Sequence, residues 1–187
     1  MKTSKGNLIN LTALNKNIKK ASLVIWGRDE NGRDVISDGH WIVNAYIPTD
    51  STAFTTLVSI IGTIPENGQQ FSKNGHGDAG PSSFDFSRFW DVSRPYDVTD
   101  TRITADIKDG RALRVFYVEG SYIAINADFY SMVADDYAVI TTEEARKTFP
   151  LLFSSDNERA LILPVNYQEE GAFLYLKQYQ AAAEKTS

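Results

Sequence analysis

The hydrophobic pattern predicts two helices in the first third of the chain. In "NLTALNKNIKKA" apolar residues recur on one face and lysines occupy the other, so a first helix is expected, capped by Asn10 or Thr12. In "STAFTTLVSIIG" apolar residues again line one face, and Asp50 or Ser51 is placed to cap a second helix that ends at Gly62. The threonine and isoleucine content of this second segment leaves a strand as the alternative.

Between these helices, alternating apolar and polar positions predict strands. "SLVIWGRD" is typical of a strand, "DENGRD" of a turn, and "DVISDGHWIVNAYIP" of the returning strand. The pair Asn31-Gly32 is a strong signal for a hairpin. Alternation is interrupted at Asp38-Gly39, where a bulge or a second tight turn fits.

Residues 65–96 lack a regular pattern, and we expect a long irregular loop there. Gly, Ser, Asn and Pro occur throughout it, and aromatic residues gather at its later end, where "SSFDFSRFWDV" is compatible with a short helix. A loop of this length in a compact domain is usually functional or mobile.

Regular patterning resumes at Asp97 and predicts a succession of short strands with tight turns. These strands are "DVTDTRITADIKDG", "RALRVFYVEG", "YIAIN", "YAVITT", "PLLFSSD" and "RALILPVNY". "ADFYSMVAD" is expected to form a short helix, "TEEARKTF" a helical turn, and "QEEGAFLYLKQYQAAAEKT" a closing helix. The predicted fold is therefore α+β, with a largely antiparallel sheet and several short helices. A single domain over 1–187 is expected; two subdomains, 1–64 and 97–187, joined by the loop 65–96, are the alternative.

Composition and charge exclude several classes of function. The chain has no cysteine, which excludes disulfides, thiolate zinc sites and cysteine nucleophiles. Residues 1–28 hold six basic residues and no acidic one, whereas the remainder has a net charge of -11 within an overall -5. An acidic body disfavours broad nucleic-acid binding and suits a basic protein partner. With no signal-peptide or membrane-span pattern, a cytoplasmic protein is expected.

The two histidines lie near aspartates, but no catalytic constellation is evident. His76, Asp78 and Asp85 are the residue types of a metal-dependent nuclease or hydrolase, although glycines surround the histidine. Asp38 and His40 share a strand face without a nucleophile motif. We therefore assign no catalytic residue, metal or cofactor, and keep the metal-dependent enzyme as an alternative.

The best candidate for an interaction site is a cluster of aromatic residues and arginines near residue 90. Such residues anchor protein interfaces and also stack on single-stranded bases. The cluster consists of Phe84, Phe86, Arg88, Phe89, Trp90, Arg94 and Tyr96. Three lysines of the first helix are candidates for contact with nucleic acid: Lys16, Lys19 and Lys20. The alternatives are a local core for the cluster and a solvated helix face for the lysines.

The C-terminal half shows the succession of a strand, an Asn, a short aromatic-bearing helix, a strand and a hairpin. The residues that carry this pattern are Asn126, Phe129, Tyr130, Pro150, Ala160 to Leu163, Pro164 and Val165. The pattern resembles the final subdomain of bacterial DNA sliding clamps, and "LNKNIKKASLVIW" with "ISDGHWIVNAYI" looks similar to the start of such a unit. The resemblance implies a fold of clamp-like subunits and no activity. The chain departs from clamps in size and in the acidic character of "ADFYSMVAD".

The sequence thus favours a non-catalytic protein that binds another macromolecule. In type, it looks like the small acidic proteins by which phages and mobile elements inhibit host defence, including anti-CRISPR proteins. An inhibitor of a host nucleic-acid enzyme, with Cas9 as the concrete partner, is the leading hypothesis. A clamp-like accessory protein of DNA replication is the alternative, and no membrane partner is expected.

Overall fold

The structure is a computed structural model that describes residues 7–90, 95–106, 110–118, 121–134, 139–142 and 150–165. The elements of the first half are α1 (Leu11–Lys20), β1 (Leu23–Arg28), β2 (Asp34–Ser37), β3 (Trp41–Ala45), α2 (Thr52–Ile61), β4 (Gln70–Asn74), β5 (Gly80–Pro81) and a 3-10 turn (Ser87–Phe89). Those of the second half are β6 (Pro95–Asp97), β7 (Thr99–Asp106), β8 (Ala112–Val118), β9 (Ser121–Asn126), α3 (Ala127–Tyr130), β10 (Val139–Thr142), β11 (Leu151–Ser154) and β12 (Arg159–Ile162).

Both predicted helices form, and each begins at a side-chain cap. The Oδ1 of Asn10 accepts hydrogen bonds from the backbone N–H groups of Thr12 (3.1 Å) and Ala13 (3.2 Å), which starts α1. The Oγ of Ser51 accepts from the N–H of Phe54 at 3.2 Å and starts α2. Gly62 ends α2 at φ 82°, a left-handed conformation that glycine adopts without steric cost. The strand alternative for this segment was wrong.

The turns between the first strands are also as the sequence predicts. Gly32 has φ 76°, and its N–H donates to the carbonyl of Asp29 at 2.9 Å, closing the turn between β1 and β2. The interruption at Asp38 is a second tight turn, which separates β2 from β3. There Ser37 Oγ donates to the carbonyl of Trp41 at 2.7 Å.

The strands form two antiparallel sheets. The larger has nine strands in the order β5-β4-β1-β2-β3-β12-β11-β10-β6, and the smaller has the order β7-β8-β9. Because β12 pairs with β3, residues of both predicted subdomains belong to one sheet. The chain is thus an α+β protein with antiparallel sheets and few helices.

One face of the large sheet, called the first face, carries most of the core. Trp26, Ile36, Trp41 and Phe153 project from it and are nearly or fully buried. The helices α1 and α2 and the strands β8 and β9 contribute apolar side chains to the same cluster. The ring of Trp26 meets that of Phe54 in α2 edge-on, with centroids 5.5 Å apart.

The opposite face, called the second face, carries a smaller cluster. Alternation along the strands places Ile25, Val35, Ile42, Leu152 and Leu161 there. Phe86, from the segment before the 3-10 turn, is the sixth buried member, and the partly buried rings of Phe89 and Trp90 pack against the cluster. A short non-sheet segment therefore covers this face.

The prediction of an irregular loop over residues 65–96 was wrong for Gly80–Pro81, which forms β5, and above all for Gln70–Asn74. This segment is β4, which pairs with β1 from Leu23↔Asn74 to Gly27↔Gln70. Its sequence, "QFSKN", is mostly polar, as is common for a strand near the edge of a sheet. The alternation of apolar and polar residues therefore does not reveal this strand. The predicted helices over "TEEARKTF" and the C-terminal segment lie outside the described residues. Across the part that is described, no helix has the length and apolar character needed to span a membrane.

Candidate binding cleft on the second face

A row of residues across five strands forms the floor of a cleft on the second face. The antiparallel registers pair Gln70 with Gly27, Gly27 with Val35, Val35 with Asn44, and Asn44 with Arg159. Side chains at paired positions project to the same side of a sheet. All five residues line the cleft, whose volume is about 300 Å³.

Gly27 is required by the close approach of the segment before β4. A Cβ atom at this position would lie 2.9 Å from the carbonyl oxygen of Gln69 and 3.1 Å from Cγ of Gln70. The neighbouring Arg28 N–H donates to the same Gln69 carbonyl at 3.0 Å. The missing side chain therefore brings the backbone of residues 68–70 to the edge of the cleft.

The turn between β1 and β2 forms one rim, and Asp29 organises it. Its Oδ1 accepts hydrogen bonds from the N–H groups of Asn31 and Arg33, both at 2.9 Å. Its Oδ2 accepts from Nδ2 of Asn44 at 3.2 Å. The carboxylate of Asp29 thus has protein donors on both oxygens.

A buried carboxylate beneath the cleft floor pairs with Arg28. Asp34 is 2% exposed, and its Oδ1 accepts from Trp26 Nε1 at 2.9 Å and from Arg28 Nε at 3.3 Å. Its Oδ2 accepts from the N–H of Ile47 at 3.2 Å. Because Asp34 shares the first face with Trp26, this ion pair holds the Arg28 side chain on the side of the sheet opposite the cleft.

Residues 84–90, called the aromatic segment, form the opposite wall. Gln70 attaches this segment to the sheet: its Oε1 accepts from Phe84 N–H at 2.9 Å, and its Nε2 donates to the Phe84 carbonyl at 3.1 Å. Asp85 Oδ1 accepts from Ser87 N–H and Oγ, which shapes the 3-10 turn. Phe86, Ser87 and Trp90 then face the cleft.

The cleft lining has more cations than anions. Arg33 and Arg159 line it, against the single carboxylate of Asp29, while the charge of Arg28 is paired with Asp34 on the first face. Amide side chains and backbone from Asn31, Gln69 and Gln70 add hydrogen-bonding groups, and Phe86 with Trp90 adds aromatic surface. A pocket of this size and mixture suits a ligand that has negative charge and a flat apolar part.

The predicted partner-binding residues are brought together in part. Phe84 contacts both Phe86, at a centroid distance of 4.8 Å, and Phe89, stacked at 5.8 Å. Phe84 remains 37% exposed, while Phe86 is buried. The side chains of Arg88 and Tyr96, and all of Arg94, lie outside the described residues; the backbone of Tyr96 pairs with Thr141. The cluster is thus both a local core and, at Phe84, an exposed surface.

His76 and Asp78 lie in the loop of the hairpin between β4 and β5, and both are exposed. Gly75 in this loop has φ 54°. Within the described part of the chain, no three His, Asp or Glu side chains are grouped to hold a metal ion, so Asp85 does not complete a set with these two. The metal-dependent enzyme stays a prediction without a described site.

Asp38 and His40 occupy the turn between β2 and β3, so the expectation that they share a strand face was wrong. The Asp38 side chain is 10% exposed, and burial raises its pKa, although hydrogen bonds from the His40 and Trp41 N–H groups act in the opposite direction. His40 is 72% exposed, and its Nδ1 lies 3.8 Å from Asp38 Oδ1. The described contacts give this aspartate a structural role in the turn.

Two of the three candidate lysines on α1 are paired with an aspartate of α3. Nζ of Lys20 lies 2.8 Å from Asp128 Oδ2, and Nζ of Lys16 lies 3.4 Å from Oδ1. The Lys20 hydrogen bond, against a smaller opposing effect of burial, lowers the pKa of Asp128. Lys19 is exposed. The pairing reduces the positive charge that this helix presents.

Sequence reasoning missed most of the cleft. Gly27, Arg33, Asn44, Gln70 and Arg159 are far apart in sequence, and only the strand registers bring them together. A usable signal existed in polar residues at inward positions of otherwise apolar strands, as at Asn44.

Comparison with known proteins gives matches among solved structures alone. No protein-family model matches the chain, and no curated protein matches it. The chain is similar to a protein assigned as a DNA polymerase III beta subunit from Eubacterium rectale, with a TM-score of 0.38 and 14% identity over 89% of this chain and 67% of that one.

Two further solved structures are of the same kind. The DNA polymerase III subunit beta from Borrelia burgdorferi has a TM-score of 0.34 and 12% identity, and the beta subunit from Streptococcus pyogenes has 0.29 and 11%. Each comparison covers 87% of this chain and 64% of the other. The chain therefore spans slightly less than two thirds of these two proteins. All three are described as beta subunits of a bacterial DNA polymerase.

Proposed function

We propose that this chain is a non-catalytic binding protein that acts by occupying another macromolecule. The observation that carries the proposal is the aromatic segment on the second face. Phe84 is 37% exposed and stacks on Phe89, beside a cleft lined by Arg33 and Arg159. Aromatic residues and arginines are the types that supply most of the binding energy at protein interfaces.

Two finer versions of this proposal differ in the partner. In the first, the chain is a clamp-like accessory protein of DNA replication, and α1 faces DNA through Lys16, Lys19 and Lys20. The sliding-clamp subunits among the similar solved structures suit this version. The pairing of Lys16 and Lys20 with Asp128 limits the charge available for DNA.

In the second version, the chain is a phage or mobile-element inhibitor of a host nucleic-acid enzyme, with Cas9 as the concrete partner. Its support is the acidic body, which is complementary to a basic enzyme. The comparisons supply nothing further for it. The cationic cleft would then contact an acidic segment of the same partner.

A pull-down with matched variants tests the proposal. The tagged chain, its Phe84→Ala variant and its Ile64→Ala variant are incubated with bacterial lysate containing Cas9, with and without nuclease, and bound proteins are identified by mass spectrometry. Ile64 is the matched control because it is apolar and 46% exposed, but lies outside the aromatic segment. We expect a partner that Ile64→Ala retains and Phe84→Ala loses, because the exposed ring is the anchor.

The outcomes separate the versions. A nuclease-resistant partner, Cas9 above all, supports the inhibitor, and inhibition of DNA cleavage by purified Cas9 then follows as a direct assay. Capture of polymerase subunits only while DNA is intact supports the clamp-like accessory. Equal capture by both variants removes the aromatic segment from the proposal, and an empty pull-down contradicts the proposed function itself.

A further inference from the structure

The cleft holds an excess of hydrogen-bond donors. Arg33 Nε is buried and has no hydrogen-bond acceptor among the described residues. Leaving a charged donor buried and unpaired costs free energy, so native proteins normally supply an acceptor. Arg159, on the far side of the cleft floor, is exposed and forms no ion pair within the described ranges. Two guanidinium groups thus line one cavity without a carboxylate partner there.

The acid in the cleft is engaged elsewhere and does not accept a hydrogen bond from Arg33 Nε. Asp29 already accepts from the N–H groups of Asn31 and Arg33 and from the Asn44 side chain. The Nε of Arg28 is likewise engaged by Asp34. What the cavity lacks is therefore an acceptor-rich anion that comes from outside the chain.

The aromatic wall of the cleft indicates what the uncharged part of such a ligand would be. Phe86 and Trp90 line the same cavity as the arginines, and aromatic rings stack favourably on nucleobases. The volume of about 300 Å³ is at the lower limit of small-molecule pockets, which suits one nucleotide unit.

We propose that the cleft between the aromatic segment and the strands β1–β3 and β12 binds a nucleoside monophosphate. Arg33 and Arg159 contact the phosphate, and Trp90 packs against the base. The phosphate of a free nucleotide and the 5′-phosphate of a nucleic-acid strand share this chemistry. The inference does not depend on the proposed macromolecular partner, since the ligand would bind the chain alone.

Calorimetric titration of the full chain tests this inference. The titrants are the four ribonucleoside 5′-monophosphates, the corresponding nucleosides, inorganic phosphate, and a short oligonucleotide with and without a 5′-phosphate. We expect saturable binding of at least one monophosphate, tighter than that of its nucleoside and of inorganic phosphate. Tighter binding of the 5′-phosphorylated oligonucleotide identifies a strand end as the source, and tighter binding of the monophosphate identifies the free nucleotide.

Matched variants locate the ligand. Arg159→Gln removes an exposed cation, and we expect a dissociation constant about tenfold higher, the typical effect of losing one charge-assisted hydrogen bond. Arg33→Gln is expected to act similarly, with folding checked by circular dichroism. Arg102→Gln, which removes the same charge from an exposed position of β7 outside the cleft, should leave affinity unchanged. No saturable binding of any monophosphate, equal affinity for inorganic phosphate, or unchanged affinity in Arg159→Gln would overturn the inference.

Discussion

The two faces of the large sheet differ in what covers them. The first face is covered by two helices and a second sheet, and its cluster includes fully buried Trp26, Phe116 and Leu151. The second face has six buried apolar residues and one short aromatic segment over them. On this face, the row of paired positions that starts at apolar Val35 continues with polar Asn44 and Arg159.

This difference separates stability from binding. Buried apolar area stabilises a fold roughly in proportion to its extent, so the first face supplies most of the stabilisation. Polar groups placed inward on the second face cost stability unless they gain partners. Asn44 gains such a partner in Asp29, whereas Arg33 Nε has none within the described ranges, and the proposed ligand would supply it.

The largest expected effect on stability comes from truncating a buried side chain in the core of the first face. Phe116→Ala should lower the free energy of unfolding by about 3–5 kcal/mol, because the buried ring packs against Tyr130 and Phe153. Phe86→Ala, on the second face, should cost less, about 2 kcal/mol, because its cluster is smaller and can relax toward solvent. Urea denaturation measures both. Equal losses would contradict the division between the faces.

A second prediction concerns the floor of the cleft. Gly27→Ala should cost about 1–3 kcal/mol, because the new methyl group meets the Gln69 carbonyl at 2.9 Å and the backbone must move. Gly80→Ala is the control, since a Cβ atom there has no neighbour within 4 Å. We expect nucleotide affinity to fall in Gly27→Ala and to stay constant in Gly80→Ala. A stable Gly27→Ala variant would show that the close approach is not required.

The helices that cover the first face were predictable from sequence, whereas the strand β4 and the cleft were not. Helix α1 is encoded locally, by the Asn10 cap and the helical spacing of Leu14 and Ile18, and these signals are consistent with each other. Strand β4 has no such local signal, because its polar sequence is held by pairing with β1. Local pattern also gives no strand order.

The candidate site shows the same limit. The aromatic segment was found because aromatic residues are concentrated in sequence around Trp90. Arg33 and Arg159 were not found, since each is an ordinary surface arginine until the registers of β1–β3 and β12 place both beside one cavity. Sites that are assembled by long-range pairing need the topology before they can be recognised.

The third prediction concerns the loss of stability at acidic pH. We attribute part of this loss to Asp100, in strand β7 of the smaller sheet. Burial raises the pKa of Asp100, but hydrogen bonds from Arg114 and from the Arg102 N–H, the Arg114 charge and the Tyr130 hydroxyl outweigh it and lower the pKa. A carboxyl with a lowered folded-state pKa stabilises the fold above its unfolded pKa, near 3.8, and this contribution is lost as pH falls further.

Thermal unfolding between about pH 7 and pH 2 measures this effect. Asp100→Asn should lower the free energy of unfolding by about 1 kcal/mol at neutral pH. This loss lies between the contribution of an exposed ion pair and that of a buried hydrogen bond to a charged group. The melting temperature of this variant should then fall less than that of the wild type as pH drops below about 4. Asp38→Asn is the contrasting control, because burial raises the pKa of Asp38 and its contribution has the opposite sign. Parallel pH profiles of wild type and Asp100→Asn would contradict the assignment.

The smallest expected effect is at the outer surface of α1. Asp128→Asn removes the partner of Lys16 and Lys20, whose side chains are 59% and 55% exposed, so we expect a loss of only about 0.2–1 kcal/mol that disappears at high salt. Asp106→Asn, at an exposed position of β7, is the charge-matched control. In a clamp-like accessory, freeing the two lysines should raise affinity for double-stranded DNA more than the control does, as measured by fluorescence anisotropy at several salt concentrations. If both variants bind DNA as weakly as the wild type, the helices of the first face serve the core alone, and binding belongs to the second face.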